Sequence, residues 1–336
     1  MSSGIVGLTN IGNTCYGNAT LQAIRHQVDL TIYMLEGKHL ELTKKKSKSE
    51  KIKLLESYGE LLNSLWKGKG VIQTRPFWNA MIPVAMKEGF GHFRAPLPHD
   101  AHEFLIFLLD QFHEALSEEV RMTIQKVEGQ SKDVSNALEF WKKTFEKSYS
   151  PFVELLFGLM RKSVVCGECK NDSVTWETMN ITEVCVSDSK TQCSILDLMT
   201  EHCKEEVIED YVCDCCAPKR TRAVKSLGYW RLGNWVIITL KRNANNGNKI
   251  NTHVDIPKTI CFKDVFHNKS EEISSKASYE LFATINHHGS SRGGHYTSHA
   301  KHSVLGKWFL YDDENTIEVA DVSINSSTYI VMYRQT

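Results

Sequence analysis

Gly7-Leu8-Thr9-Asn10-Ile11-Gly12-Asn13-Thr14-Cys15-Tyr16-Gly17-Asn18 sets a cysteine at the junction between a Gly/Asn-rich turn and a helix. Leu21, Ile24 and Val28 follow at helical spacing and Thr14 stands where an N-cap belongs, so Cys15 falls in the first turn. Unpaired backbone N–H groups and the helix dipole favour thiolate over thiol at such a position, and the thiolate is the state that attacks a carbonyl. The same amides, with an asparagine side chain nearby, could hold the oxyanion that forms after attack. On the turn alone, a buried structural cysteine is the commoner occupant.

The rest of the chain sets the context for that cysteine. Its 336 residues are 41% hydrophobic, enough to bury the core of one large domain or two. Lys plus Arg and Asp plus Glu both total 40, so no net field draws in nucleic acid or an acidic membrane, and partners must be selected by local surface. Met1-Ser2-Ser3-Gly4-Ile5-Val6-Gly7-Leu8 lacks the basic start and apolar core of a secretory signal. No segment reaches the roughly 18 apolar residues that span a bilayer. These features predict a soluble intracellular protein, cytoplasmic or nuclear, whose ten cysteines stay reduced.

A lysine-rich stretch from 38 to 53 reads as a solvated helix face or loop. Asp100 to Leu116 is the clearest helix, with Phe104, Leu108, Leu109 and Phe112 on one face, Pro96 and Pro98 ahead of it, and Asp100 and Glu103 at capping-box spacing. A polar helical segment near 117 to 148 ends at Pro151. From Ser226 on, short apolar or alternating runs predict strands at 235–240, 279–285, 295–300, 307–312 and 329–333. Helices followed by antiparallel strands make an α+β chain.

Cysteine catalysis needs an imidazole in reach and a third group to fix its tautomer. Of fourteen histidines, His295 stands in Gly293-Gly294-His295-Tyr296, where two glycines allow close approach of another backbone. If 294–301 and 306–313 form a hairpin symmetric about Ser303 and Val304, His295 lies opposite Asp312. A one-residue slip presents Asp313 instead, so both aspartates stay open. Cys166-Gly167-Glu168-Cys169 and Cys213-Asp214-Cys215-Cys216 are knuckle-like pairs of the kind that closes a tetrahedral structural Zn²⁺ site. Cys215 could stand in for Cys213 or Cys216.

The Cys15 segment resembles the cysteine box of the ubiquitin-specific proteases, Gly-Leu-x-Asn-x-Gly-Asn-Thr-Cys-Tyr-x-Asn, at nearly every position. Tyr279-x-Leu281, His287-His288-Gly289, Gly293 to Thr297, Lys307 to Asp313 and Tyr329 to Tyr333 resemble that family's histidine box. His99-Asp100-Ala101-His102-Glu103-Phe104 resembles its second box, with Pro98-His99 in place of the leading glutamines, and Lys241-Arg242-Asn243 departs from its usual Arg-Phe.

The resemblance implies an α+β, papain-like cysteine protease fold with a thumb to about residue 150, fingers over 151–228 carrying the zinc knuckles, and a palm over 229–336. It makes Cys15 the nucleophile, Asn10 the oxyanion amide, His295 the base and Asp312 its orienter, with Asp313 a second candidate. Asp100, Glu103, His288, Gly293 and Gly294 become contacts for ubiquitin's C-terminal tail, with His287 and His288 on a mobile loop above it. Cys166, Cys169, Cys213 and Cys216 would hold a structural Zn²⁺. The implied reaction is hydrolysis after ubiquitin's terminal glycine, with ubiquitin, ubiquitinated proteins and an activating or targeting protein as partners. An inactive ubiquitin-binding scaffold and a protease for a ubiquitin-like modifier are the alternatives.

Overall fold

The computed structural model describes residues 4–94, 97–125, 128–242, 248–267, 277–290 and 293–336, so Pro96 and Asn243 lie outside the described residues. The N-terminal part runs β1 (Gly7–Leu8), α1 (Cys15–Ile24), α2 (Val28–Leu35), α3 (Lys38–Thr43), α4 (Glu50–Lys67), β2 (Val71–Ile72), α5 (Arg75–Lys87) and α6 (Ala101–Leu116). Val28 does not continue α1. Gln27 is extended and its side chain accepts from the Leu30 amide, so a new helix starts there. The lysine-rich stretch holds α3, a turn and the first turn of α4, and Lys46 donates to Ala115 O and Ser117 O at the end of α6. α4 escaped the sequence reading although Ile52, Leu55, Leu62 and Leu65 bury one face, because lysines and glutamates fill the other.

All ten residues of α1 are buried. Tyr16, immediately after Cys15, packs edge-on to Trp78 and Phe104 at 5.8 and 5.4 Å between ring centroids and stacks on Phe93 at 5.9 Å. Such pairs contribute about 0.5–1.5 kcal/mol each beyond area burial, which anchors the helix start against α5 and α6. The expected polar helix is shorter than its segment. Glu118 bridges Tyr149 in extended backbone, and among the segment's described residues only α7 (Lys132–Phe145) is helical, with α8 (Pro151–Leu155) following it.

Strands begin well before Ser226. β3 (Gly158–Cys166), β4 (Asp172–Met179), β7 (Glu206–Val212) and β8 (Arg220–Arg231) form an antiparallel sheet in the order β4-β3-β8-β7. Between β4 and β7 the chain makes β5 (Thr182–Cys185), β6 (Gln192–Ser194) and α9 (Ile195–His202). Every residue of β4 and β7 is at least partly exposed, so neither strand carries a fully buried apolar face.

The larger sheet takes β9 (Trp235–Lys241), β12 (Ser278–Ser290), β13 (Gly293–Lys301), β14 (Trp308–Asp312), β15 (Asn315–Val319) and β16 (Thr328–Gln335), ordered β15-β14-β13-β12-β16-β9-β5. β10 (His253–Asp255) pairs with β6, and β11 (Thr259–Cys261) with β12. α1 packs against β13, joining the cysteine's helix to the histidine's strand. No helix among the described residues is long and apolar enough to cross a membrane.

His299 lies buried on β13 and its Nδ1 takes the Asn286 amide at 2.9 Å, so the ring is neutral in the fold. Burial, with His288 nearby, holds its pKa down at about 4. The unfolded ring titrates near 6.5, so below that pH the unfolded chain binds the extra proton and stability falls until pH reaches about 4. The shift corresponds to roughly 3 kcal/mol. Urea unfolding is expected to show about 2 kcal/mol of that loss between pH 7 and pH 5, and His299→Gln to reduce the difference.

Candidate active site

Asn10 builds the turn that presents Cys15. Its Oδ1 accepts the amides of Gly12 and Thr14 at 3.0 and 3.1 Å, and Gly12 and Asn13 take left-handed backbone with φ of 120° and 54°. Thr14 is not a side-chain cap. Its Oγ1 accepts from Ile11 N and donates to Asn10 Oδ1, leaving the first amides of α1 free of a side-chain cap. The Cys15 sulfur collects amides from Tyr296, Tyr16 and Cys15 itself. They do not make it a resting thiolate: burial raises the thiol, outweighing those amides, and the Asp313 charge adds to the rise. The sequence expectation of a thiolate omitted the desolvation of a side chain on a residue only 6% exposed.

His295 and Asp312 meet at 2.6 Å between Nε2 and Oδ1. They are not directly opposite. The ladder pairs Ser298 with Tyr311 and His299 with Leu310, two residues from the expected register. A two-residue shift keeps each side chain on its face, so the contact becomes a diagonal one. Asp313 goes elsewhere. It takes left-handed backbone with φ 46°, its carbonyl accepts the Leu8 amide at 2.7 Å, and its carboxylate accepts Nδ2 of Asn10 and of Asn18 at 2.8 Å each. Asn18 is the residue that sequence reasoning passed over. A buried asparagine three residues into α1, on the face of Cys15, was the available signal.

Asp100 caps α6, accepting the amides of His102 and Glu103 at 2.7 and 3.1 Å, and Tyr329 OH donates to both its oxygens at 3.1 and 2.9 Å. Glu103 faces His92 at 3.2 Å rather than completing a capping box. His287 and His288 are not on a loop. They belong to β12, paired with Tyr296 and His295, and the His287 ring packs 4.6 Å from that of Tyr296. A cavity of about 180 Å³ is lined by Asp100, His287, Gly293, Gly294, Tyr296 and Tyr329, whereas Glu103 and His288 stand outside its wall.

At Gly294 a Cβ would sit 2.2 Å from His288 O and 2.6 Å from His287 Nε2. Gly294→Ala must therefore push β12 from β13 beside His295, at a cost of about 1–3 kcal/mol. A lower melting temperature together with reduced turnover is expected.

A family model described as ubiquitin carboxyl-terminal hydrolase matches residues 6–333. The chain belongs to that family. It is 27% identical to ubiquitin carboxyl-terminal hydrolase Usp2 of Drosophila melanogaster, covering 100% of this chain and 35% of that protein. It is 29% identical to ubiquitin carboxyl-terminal hydrolase 5 of Saccharomyces cerevisiae, covering 98% and 45%. The chain thus spans less than half of these two relatives. Among solved structures, a chain of the SAGA DUB module Ubp8/Sgf11/Sus1/Sgf73 bound to monoubiquitin superposes with a TM-score of 0.76 at 19% identity, over 99% of this chain and 70% of that one. The fold is the α+β, papain-like fold of ubiquitin carboxyl-terminal hydrolases.

In this member of the ubiquitin carboxyl-terminal hydrolases, the β3–β4 and β7–β8 turns bring four cysteines together. Cys166 and Cys216 sulfurs lie 3.9 Å apart, Cys169 and Cys213 sulfurs 3.6 Å apart, and all four fall within 4.8 Å of one another. Cys215 is exposed and outside the cluster. Thr221 Oγ1 and the Cys169 amide hold the Cys166 thiol down at about 6, whereas the neighbouring Cys169 thiol, with desolvation, pushes Cys216 up to about 12. Four thiols this close cannot all ionise unless a cation lies between them, so the cluster has the donor set and spacing for a metal ion.

Proposed function

We propose that the chain is a deubiquitinating cysteine protease that hydrolyses the peptide or isopeptide bond after ubiquitin's C-terminal glycine. The observation that carries the reading is the Asp312–His295 contact beside the α1 start that bears Cys15. Asp312 accepts from Nε2–H, which fixes the tautomer whose Nδ1 lone pair is the base for Cys15. Because burial keeps Cys15 a thiol, sulfur deprotonation is coupled to attack. His295, now charged, returns the proton to the leaving lysine amine, and a water it deprotonates hydrolyses the thioester.

Asp313 holds one Nδ2 hydrogen of Asn10. The amide has two, so one remains for the oxyanion. Asp100, Gly293 and Gly294 line a slot that suits a diglycine tail, with Glu103 and His288 flanking it as further tail contacts. Cys166, Cys169, Cys213 and Cys216 hold a structural Zn²⁺ in this reading. Zn–S bonds of about 2.3 Å give a tetrahedral edge of about 3.8 Å, and the sulfur pairs stand at 3.6 and 3.9 Å. The thumb ends near 150, fingers occupy 151–228 and the palm 229–336. The reading further includes an intracellular site of action, cytoplasmic or nuclear, and a targeting or activating partner protein.

Release of a fluorophore from the C-terminus of ubiquitin tests the reaction. Turnover by the wild-type chain and none by Cys15→Ala is expected. Ubiquitin binding without turnover would favour a scaffold, and turnover only of a ubiquitin-like conjugate a different substrate.

A further inference from the structure

His295, Asp312 and Asp313 each place a ligand atom within 4.8 Å of the other two. In a tetrahedral site with metal–ligand bonds of about 2.0–2.2 Å the ligand atoms stand about 3.3–3.6 Å apart, so Asp312 must draw back by roughly 0.8 Å from its 2.6 Å contact with His295 to admit the ion. The side chains of His295 and Asp312 are 43% and 42% exposed, which lets an ion reach them and lets them adjust without opening the fold. Asp313 keeps ligand capacity, since each oxygen accepts one amide hydrogen and a carboxylate offers about four lone-pair sites. One imidazole and two carboxylates with open positions are a donor set for a borderline divalent ion, and the Cys15 sulfur lies close enough to feel the Asp313 charge.

We propose that His295, Asp312 and Asp313 form a second, weaker zinc site that switches off the catalytic base when the substrate tail is absent. Zinc takes a lone pair at Nε2, so the Nε2 proton moves through solvent to Nδ1. No proton is lost from the ring, but the lone pair that would deprotonate Cys15 is consumed. The four-cysteine cluster, with all-sulfur ligation, fills first. Zinc is therefore required at low concentration and inhibitory at higher concentration. The metal site stands on the geometry alone; its inhibitory effect rests on the protease reading.

The test starts from the full chain carrying one zinc and titrates free Zn²⁺ in metal buffers, reading bound metal by competition with a chromophoric chelator. The wild-type chain is expected to take a second ion, and ubiquitin hydrolysis to fall with the same midpoint, recovering when a weak chelator lowers free zinc. His295→Ala is expected to lose the second ion, and the isosteric Asp312→Asn to weaken it at least tenfold. A wild-type chain that stops at one ion, or a second ion held equally by His295→Ala and Asp312→Asn, overturns the proposal. A second ion in a chain that hydrolyses no ubiquitin would sink the protease reading and leave the site standing. Zinc inhibition without a second ion would do the reverse.

Discussion

Replacing His295 with alanine is expected to lower kcat/KM for ubiquitin hydrolysis by about 10⁴, close to 5.5 kcal/mol of transition-state stabilisation, with little change in ubiquitin binding. The size of the loss follows from the state of Cys15. Burial raises its thiol, so without the imidazole little thiolate is available at neutral pH. Asp313→Ala should behave differently. It leaves the His295–Asp312 contact in place and frees the amides of Asn10 and Asn18, so the loss expected is that of a loosened oxyanion donor, about 10²–10³ in kcat. Steady-state kinetics on the two variants separate the roles, and equal losses would mean that Asp313 also acts through the base.

In the proposed reading, removing Zn²⁺ from the four-cysteine cluster, by Cys166→Ser or by a strong chelator, is expected to unfasten the β3–β4 and β7–β8 turns while leaving the His295–Asp312 contact intact. Structural zinc sites supply apparent binding energies of about 10–16 kcal/mol, more than two hairpin ends with partly exposed strands can replace. Hydrogen exchange should speed up at 166–172 and 212–220. The KM for ubiquitin should rise at least tenfold, while hydrolysis of a short amide ending in diglycine is unchanged. Loss of activity on the short substrate as well would show that the cluster supports the whole fold.

The parts of the fold that were legible in the sequence are those where one residue type has one physical use. Gly and Asn at 10–13 announce a left-handed turn ahead of Cys15, apolar residues at helical spacing announce α6, and continuous apolar runs announce β9 and β16. The four-stranded sheet was not legible because its outer strands β4 and β7 bury no residue fully, and α4 was hidden by the charges on its solvent side. At the site, the residues were legible but several of their relations were not. His295 and Asp312 were paired by a hairpin register two residues out, and the face was right only because an even slip preserves it. The bond between Asp313 and Asn10 spans 303 residues of chain, and no periodicity reports such a contact. The protonation of Cys15 depends on how deeply α1 packs, which the turn sequence does not encode.

The measurement that bears most directly on the account is reaction of the chain with ubiquitin carrying an electrophile in place of its C-terminal carboxylate, followed by mapping of the modified peptide. One covalent ubiquitin per chain is predicted, attached to Cys15, absent in Cys15→Ala and strongly slowed in His295→Ala. A ubiquitin adduct on any other of the ten cysteines, or none on a folded wild-type chain, would contradict it.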